Sequence, residues 1–122
     1  MRWNSYDIMN EVAQSGGGTW CLNSRGETPW RGYYVALGGK FGEVLPNKKA
    51  NAVALAGFIR KHYASLKGEG IYLGVWQDKR SGNTWFDLVE CVETRERAID
   101  LGRQREQLAV WDIARREEVP CE

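Results

Sequence analysis

The sequence predicts an α+β domain: a mainly antiparallel sheet with two helices packed on one face, a two-layer sandwich in the order ββ(β)αββαβ. Three observations predict it. Apolar side chains recur at helical spacing through residues 47–68. Residues 71–93 read as two strands around a short polar loop. Glycine, proline and asparagine punctuate the remaining aromatic and β-branched runs. Hairpins join strands antiparallel, and two amphipathic helices most simply cover a single sheet face.

Taken in order, residues 4–14 can form a short helix with Ile8, Met9 and Val12 on one side, so residues 1–16 are expected to be a leading helix or arm. Gly16-Gly17-Gly18 breaks it. Residues 19–23 read as a strand, followed by turn chemistry at residues 24–29. Residues 33–37 are a second strand and residues 41–45 a third, separated by Gly38-Gly39. Pro46-Asn47 opens the clearest helix, with Asn47 as N-cap. Ala52, Leu55, Ala56, Ile59, His62, Tyr63 and Leu66 form its stripe, and Gly68 stands at C′.

Residues 71–78 and 84–93 form the hairpin. A four-residue loop pairs Asp78 with Asn83 and sets Trp76 across from Trp85. A three-residue loop sends the two rings to opposite faces; the sequence leaves both registers open. Thr94 caps a second helix, residues 95–107, whose apolar stripe is only Ala98, Ile99 and Leu101, with Leu108 at its end. Residues 108–114 are a last strand and residues 115–122 a charged tail that can extend it.

The 122 residues suit one domain, expected to span 1–122, with 43% hydrophobic and 27% charged residues. A net charge of +1 disfavours broad electrostatic binding of nucleic acid. No run of about 20 apolar residues suggests a membrane span, and the N-terminus has no secretory h-region. Three cysteines, Cys21, Cys91 and Cys121, lie far apart with no CxxC spacing. Free thiols in a reducing cytoplasm are the expectation, with no cofactor and no metal.

Catalytic chemistry finds little support. The single histidine, His62, lies in the apolar stripe of the central helix and reads as a core residue. Gly16-Gly17-Gly18-Thr19 lacks the Lys-Ser/Thr of a phosphate loop and precedes a strand, so it reads as a flexible turn, as does Gly38-Gly39-Lys40-Phe41. Asp87 and Glu90 are three apart on a strand and point to opposite faces, so they make no carboxylate dyad. Asp112, beside Trp111, is a candidate half-buried carboxylate; its bland alternative is a charge on the open sheet face.

What stands out is aromatic and guanidinium density, with six tryptophans in the chain. Trp20, Trp30, Arg31, Tyr33, Tyr34, Trp76, Trp85 and Trp111, together with Asp87 and Asp112, are the candidate ligand-binding residues. Aromatic rings on an open sheet face can stack a base or a peptide ring, and Arg31 can add a cation–π or phosphate contact.

Five pieces of the chain carry a resemblance. They are Gly17-Gly18-Thr19-Trp20, Gly32-Tyr33-Tyr34-Val35, Tyr72-Leu73-Gly74-Val75-Trp76, Trp85-Phe86-Asp87-Leu88-Val89-Glu90, and Arg97-Ala98-Ile99 through Gln107-Leu108-Ala109-Val110-Trp111-Asp112-Ile113. Together they resemble small accessory proteins of bacteriophages and mobile elements. The resemblance implies a non-enzymatic protein that counteracts host antiviral defence, by binding a defence protein or by sequestering a nucleotide-derived signal in the host cytoplasm. Two other readings stand beside it. One is a protein–protein or homo-oligomeric module built on an exposed last strand and an aromatic sheet face. The other is an aromatic-sheet binder of single-stranded nucleic acid, against which the net charge weighs. An enzyme comes last, for want of a nucleophile–base pair.

Overall fold

The computed structural model describes residues 3–23 and 26–121. The first helix, α1 (Ser5–Ser15), is capped by Asn4, whose Oδ1 accepts from the Asp7 backbone N–H at 2.8 Å. Gly16 ends it at φ +90°, donating its N–H to Val12 O at 2.7 Å. One glycine suffices for the break. Gly17 and Gly18 already belong to strand β1 (Gly17–Trp20), so the flexible turn expected over residues 16–19 is a C-cap followed by a strand. Part of the expected turn, residues 24 and 25, lies outside the described residues.

Strand β2 (Tyr33–Ala36) and β3 (Gly42–Pro46) bracket a 3₁₀ turn at Gly39–Phe41. A second 3₁₀ turn, Asn47–Lys49, separates β3 from the central helix. That turn corrects the expected cap. Asn51, not Asn47, caps α2 (Ala52–Lys61), its Oδ1 accepting from Ala54 N–H at 2.9 Å. Asn47 instead ties the turn to the sheet: its Oδ1 accepts from the Thr84 hydroxyl at 2.7 Å, and its Nδ2 donates to Asp78 O at 3.3 Å. The central helix also breaks at His62, and a single further turn, α3 (Tyr63–Leu66), completes it.

The hairpin is β4 (Ile71–Asp78) and β5 (Asn83–Val92), and Asp78 pairs with Asn83. The four-residue loop therefore holds, and Trp76 stands directly across from Trp85. Thr94 caps α4 (Arg95–Gln104), its Oγ1 accepting from Arg97 N–H at 3.3 Å. Leu108, expected at the end of the apolar stripe, is 90% exposed. Strand β6 (Ala109–Asp112) then hairpins into β7 (Glu117–Pro120), so half of the charged tail is a strand of its own.

Every pairing is antiparallel, in the order β1-β4-β5-β2-β6-β7. β5 is the spine. β4 runs along one edge of it, while β3 takes residues 83–87 and β2 residues 89–92 of the other edge. Two partners on one edge make the sheet bend rather than lie flat.

The register decides the faces. Leu73 opposes Leu88 and Val75 opposes Phe86, and these pack with Ile8, Val12, Leu55, Phe58 and Leu66 of α1, α2 and α3. Val35, Val110 and Val119 share that side and pack against Ala98 and Leu101 of α4. All four helices of the described residues thus cover one face. The opposite face carries no helix. Among the described residues, no helix is long and apolar enough to cross a membrane.

Candidate ligand-binding groove

Strand alternation sends Tyr34, Tyr72, Trp76, Trp85, Asp87, Cys91 and Trp111 to the helix-free face. Trp76 on β4 stands level with Trp85 and Trp111 on β6 stands level with Cys91, so the two are three strand steps and six residues apart, more than about 20 Å on a flat sheet. Their ring centroids nevertheless lie 5.4 Å apart with 41° between the planes. The curl of the sheet and the lean of both indoles close that gap, so the face is concave. Tyr34 and Tyr72 form a second pair, 5.8 Å apart at 59°. Burial raises both phenol pKa values, so both stay neutral hydroxyls near pH 7.

Trp76 can lie down because of what stands beside it. Gly17 is its register partner on β1, and a Cβ there would fall 2.6 Å from Cε3 of the indole. On the other side its Nε1 is 3.2 Å from the place a Cβ on Gly74 would take. The ring therefore rests against bare backbone and serves as a floor.

Over this floor lies a groove of about 820 Å³, walled by Gly17, Thr19, Trp30, Tyr34, Trp76 and Trp111 and completed by polar Ser15, Thr28 and Arg116. That volume falls within the ordinary range of small-molecule sites. Trp30 is 77% exposed and so offers the groove a wall that is largely unsupported. The Arg31 guanidinium sits 5.1 Å from its ring centroid. Trp30 and Arg31 also line an adjoining hollow of about 570 Å³ with Cys91, Glu93 and Thr94. Burial raises the Cys91 thiol pKa, which keeps it a poor nucleophile.

Asp87 lies two residues beyond Trp85 on the concave face. Its register partners on both sides are glycines, Gly42 on β3 and Gly74 on β4. The side chain is half-buried and makes no hydrogen bond or ion pair with the described residues. Burial alone pushes its pKa up to about 6. Glu90, three residues on, points to the helix side and pairs with Arg105 at 2.9 Å.

Of the ten residues singled out in the sequence, the structure gathers Tyr34, Trp76, Trp85, Asp87 and Trp111 on one face, with Trp30 and Arg31 at its rim. Three do not join them. Trp20 is 5% exposed on the helix side, where its indole N–H donates to Glu11 Oε2 at 3.0 Å. Tyr33 packs toward the α4 cluster. Asp112 pairs with Tyr33 in register and so lies on the helix side, buried, its Oδ1 accepting from Arg115 N–H at 3.1 Å in the β6–β7 turn. It is neither a groove carboxylate nor a charge on the open face. Its job is to hold a turn.

Sequence reasoning passed over Tyr72, Gly17, Thr19 and Arg116. Tyr72 had a signal, since Tyr72, Gly74 and Trp76 alternate on one face; Gly17 reaches Trp76 only through the β1–β4 register. Arg116 had none, because the β6–β7 hairpin alone brings it there. His62 is part of the helix layer, its ring centroid 4.6 Å from that of Phe58. Among the described residues, no group of three or more His, Cys, Asp or Glu side chains is placed to hold a metal ion. Comparison of the chain with protein-family models, curated proteins and solved structures finds no match.

Proposed function

We propose that this chain is a non-enzymatic binding protein whose concave face takes a nucleotide-type small molecule, with the planar base against Trp76 and Trp111. The observation that carries the proposal is the pair of tilted indoles, 5.4 Å apart, opening on a groove of about 820 Å³. Stacking on such rings contributes about 1–3 kcal/mol per base. Arg116 and the hydroxyls of Ser15, Thr19 and Thr28 give the same groove polar partners for ribose and phosphate. The lone histidine sits in the helix layer, away from the groove, which supports a ligand held and released unchanged. Sequestration of a host-defence signal is the biological form of this proposal, following the resemblance to phage and mobile-element proteins.

The self-assembly reading draws less support. The last strand on which it relied, residues 108–114, is β6 and is not an edge, since it pairs with β2 on one side and β7 on the other; the edge beyond it, β7, carries Glu117, Glu118 and Pro120. Charge and proline blunt a sheet edge against pairing with another copy.

Native mass spectrometry of the protein, purified from cells with an active antiviral defence, tests the proposal. An added mass of nucleotide size, lost on denaturation and absent from Trp111→Ala, is expected. Turnover of the bound molecule to a new mass would refute the non-enzymatic reading. A ligand-free mass, together with no response to any added nucleotide, would refute the groove.

A further inference from the structure

We propose that Arg116 is the anion anchor of the groove, and that it selects a planar base carrying a single phosphate group over both the bare nucleoside and the polyphosphate. The inference rests on the groove reading above and names the charge class of ligand that the groove prefers.

The electrostatics of the walls are one-sided. Among the described residues that line the groove, Arg116 is the only one with a charged side chain, and no carboxylate joins it. Glu118, the register partner of Trp111, walls neither hollow. The adjoining hollow is different, since Arg31 and Glu93 give it one charge of each sign. The Arg116 guanidinium is exposed and forms no ion pair with the described residues. An unpaired guanidinium beside stacking rings, in a groove without carboxylates, favours an anion.

The backbone under this side chain is strained. Arg116 stands at φ +54°, in the left-handed region that glycine adopts freely and other residues adopt at a cost. It closes the turn between β6 and β7, where its N–H donates to Asp112 O at 2.9 Å. A glycine would close the same turn without strain. Glu106 shares the conformation at the end of α4 but walls neither hollow. The turn needs a left-handed residue, and the groove needs a guanidinium at that place. Stability given up at a binding residue is the usual sign of function.

One guanidinium serves one phosphate. Its fork can donate two parallel N–H···O bonds to two oxygens of the same group. A second or third phosphate finds no other cation among the described walls, so it stays hydrated and adds little affinity.

Titration of the purified protein with guanosine, GMP and GDP tests this. GMP should bind about tenfold or more tightly than guanosine, the ratio expected for a charge-assisted contact. GDP should bind about as tightly as GMP. Arg116→Gly should bring GMP and guanosine within about threefold of each other, while its urea midpoint stays at or above that of the wild type because the turn is relaxed. Arg116→Lys keeps the charge without the fork and should retain part of the ratio. Trp111→Ala should weaken guanosine and GMP alike. If Trp111→Ala weakens binding and the GMP preference is absent, or survives in Arg116→Gly, the Arg116 assignment is overturned while the groove stands. A gain of about tenfold from GMP to GDP, or an Arg116→Gly variant that unfolds at lower urea than the wild type, would also overturn it. If neither the nucleoside nor the nucleotides bind, both readings fall together.

Discussion

The indole of Trp76 lies against the backbone of Gly17, its strand partner, so closely that a Cβ at residue 17 would sit 2.6 Å from the ring and 2.7 Å from the carbonyl oxygen of Val75. Gly17→Ala therefore meets backbone as well as side chain, and rotating the indole cannot relieve it. The variant is expected to lose about 1–3 kcal/mol of stability, the usual cost of overpacking, and to tilt the groove floor. Urea unfolding measures the first effect and nucleotide titration the second.

Trp20 and Trp111 separate the two faces of the sheet. Trp20 is core, and Trp20→Ala should cost about 3–5 kcal/mol. Trp111 is half-buried, and its ring contact with Trp76 is worth about 0.5–1.5 kcal/mol beyond area. Trp111→Ala should therefore unfold nearer to wild type yet lose ligand affinity about tenfold or more. Paired thermal melts and titrations of the two variants check this, and the opposite ranking would place the site on the wrong face.

Asp87 makes stability depend on pH in an unusual direction. Its carboxyl pKa is raised from 3.8 to about 6 in the folded chain, so the folded state holds the proton longer than the unfolded one. The contribution is greatest below pH 3.8 and is lost as pH rises to about 6, amounting to roughly 3 kcal/mol at most. Asp87→Asn removes it and should be the more stable protein at pH 7, with the difference vanishing toward pH 4. Denaturant midpoints of both proteins across that window, compared pairwise, isolate this group from the other carboxylates.

Thr84 is fully buried, and its hydroxyl donates to Asn47 Oδ1 at 2.7 Å. Thr84→Val keeps the shape and strands the half-buried Asn47 Oδ1, which should cost about 1–3 kcal/mol. The same loss in Asn47→Ala, with less than additive loss in the double variant, would identify one shared interaction.

Much of the fold was legible because it rests on local patterns. The 71–93 hairpin, the apolar stripe of the central helix and the Thr94 cap each follow from period or capping chemistry. Asn47 misled because an asparagine before a helix looks like a cap whether or not a 3₁₀ turn intervenes. The tail misled for another reason: in Glu117–Pro120 only Val119 turns inward, which is too sparse an alternation to read as a strand. The site was half legible. Alternation puts Trp76 and Trp85 on one side of a hairpin once the loop length is known. It cannot say that the sheet curls to bring Trp76 to Trp111, and Trp20 looks no different from them in the sequence. The glycines at 17, 42 and 74 read as turn or flexibility. Their use is to leave room for an indole and a carboxylate.

The most direct measurement is an indole N–H titration by nuclear magnetic resonance, following all six tryptophans as GMP is added. The groove reading requires the Trp76 and Trp111 signals to shift together with a single saturating curve, with Trp30 following and Trp20 unmoved beneath the sheet. Shifts confined to Trp20, or no shift of Trp76 and Trp111 at saturating nucleotide, would contradict it.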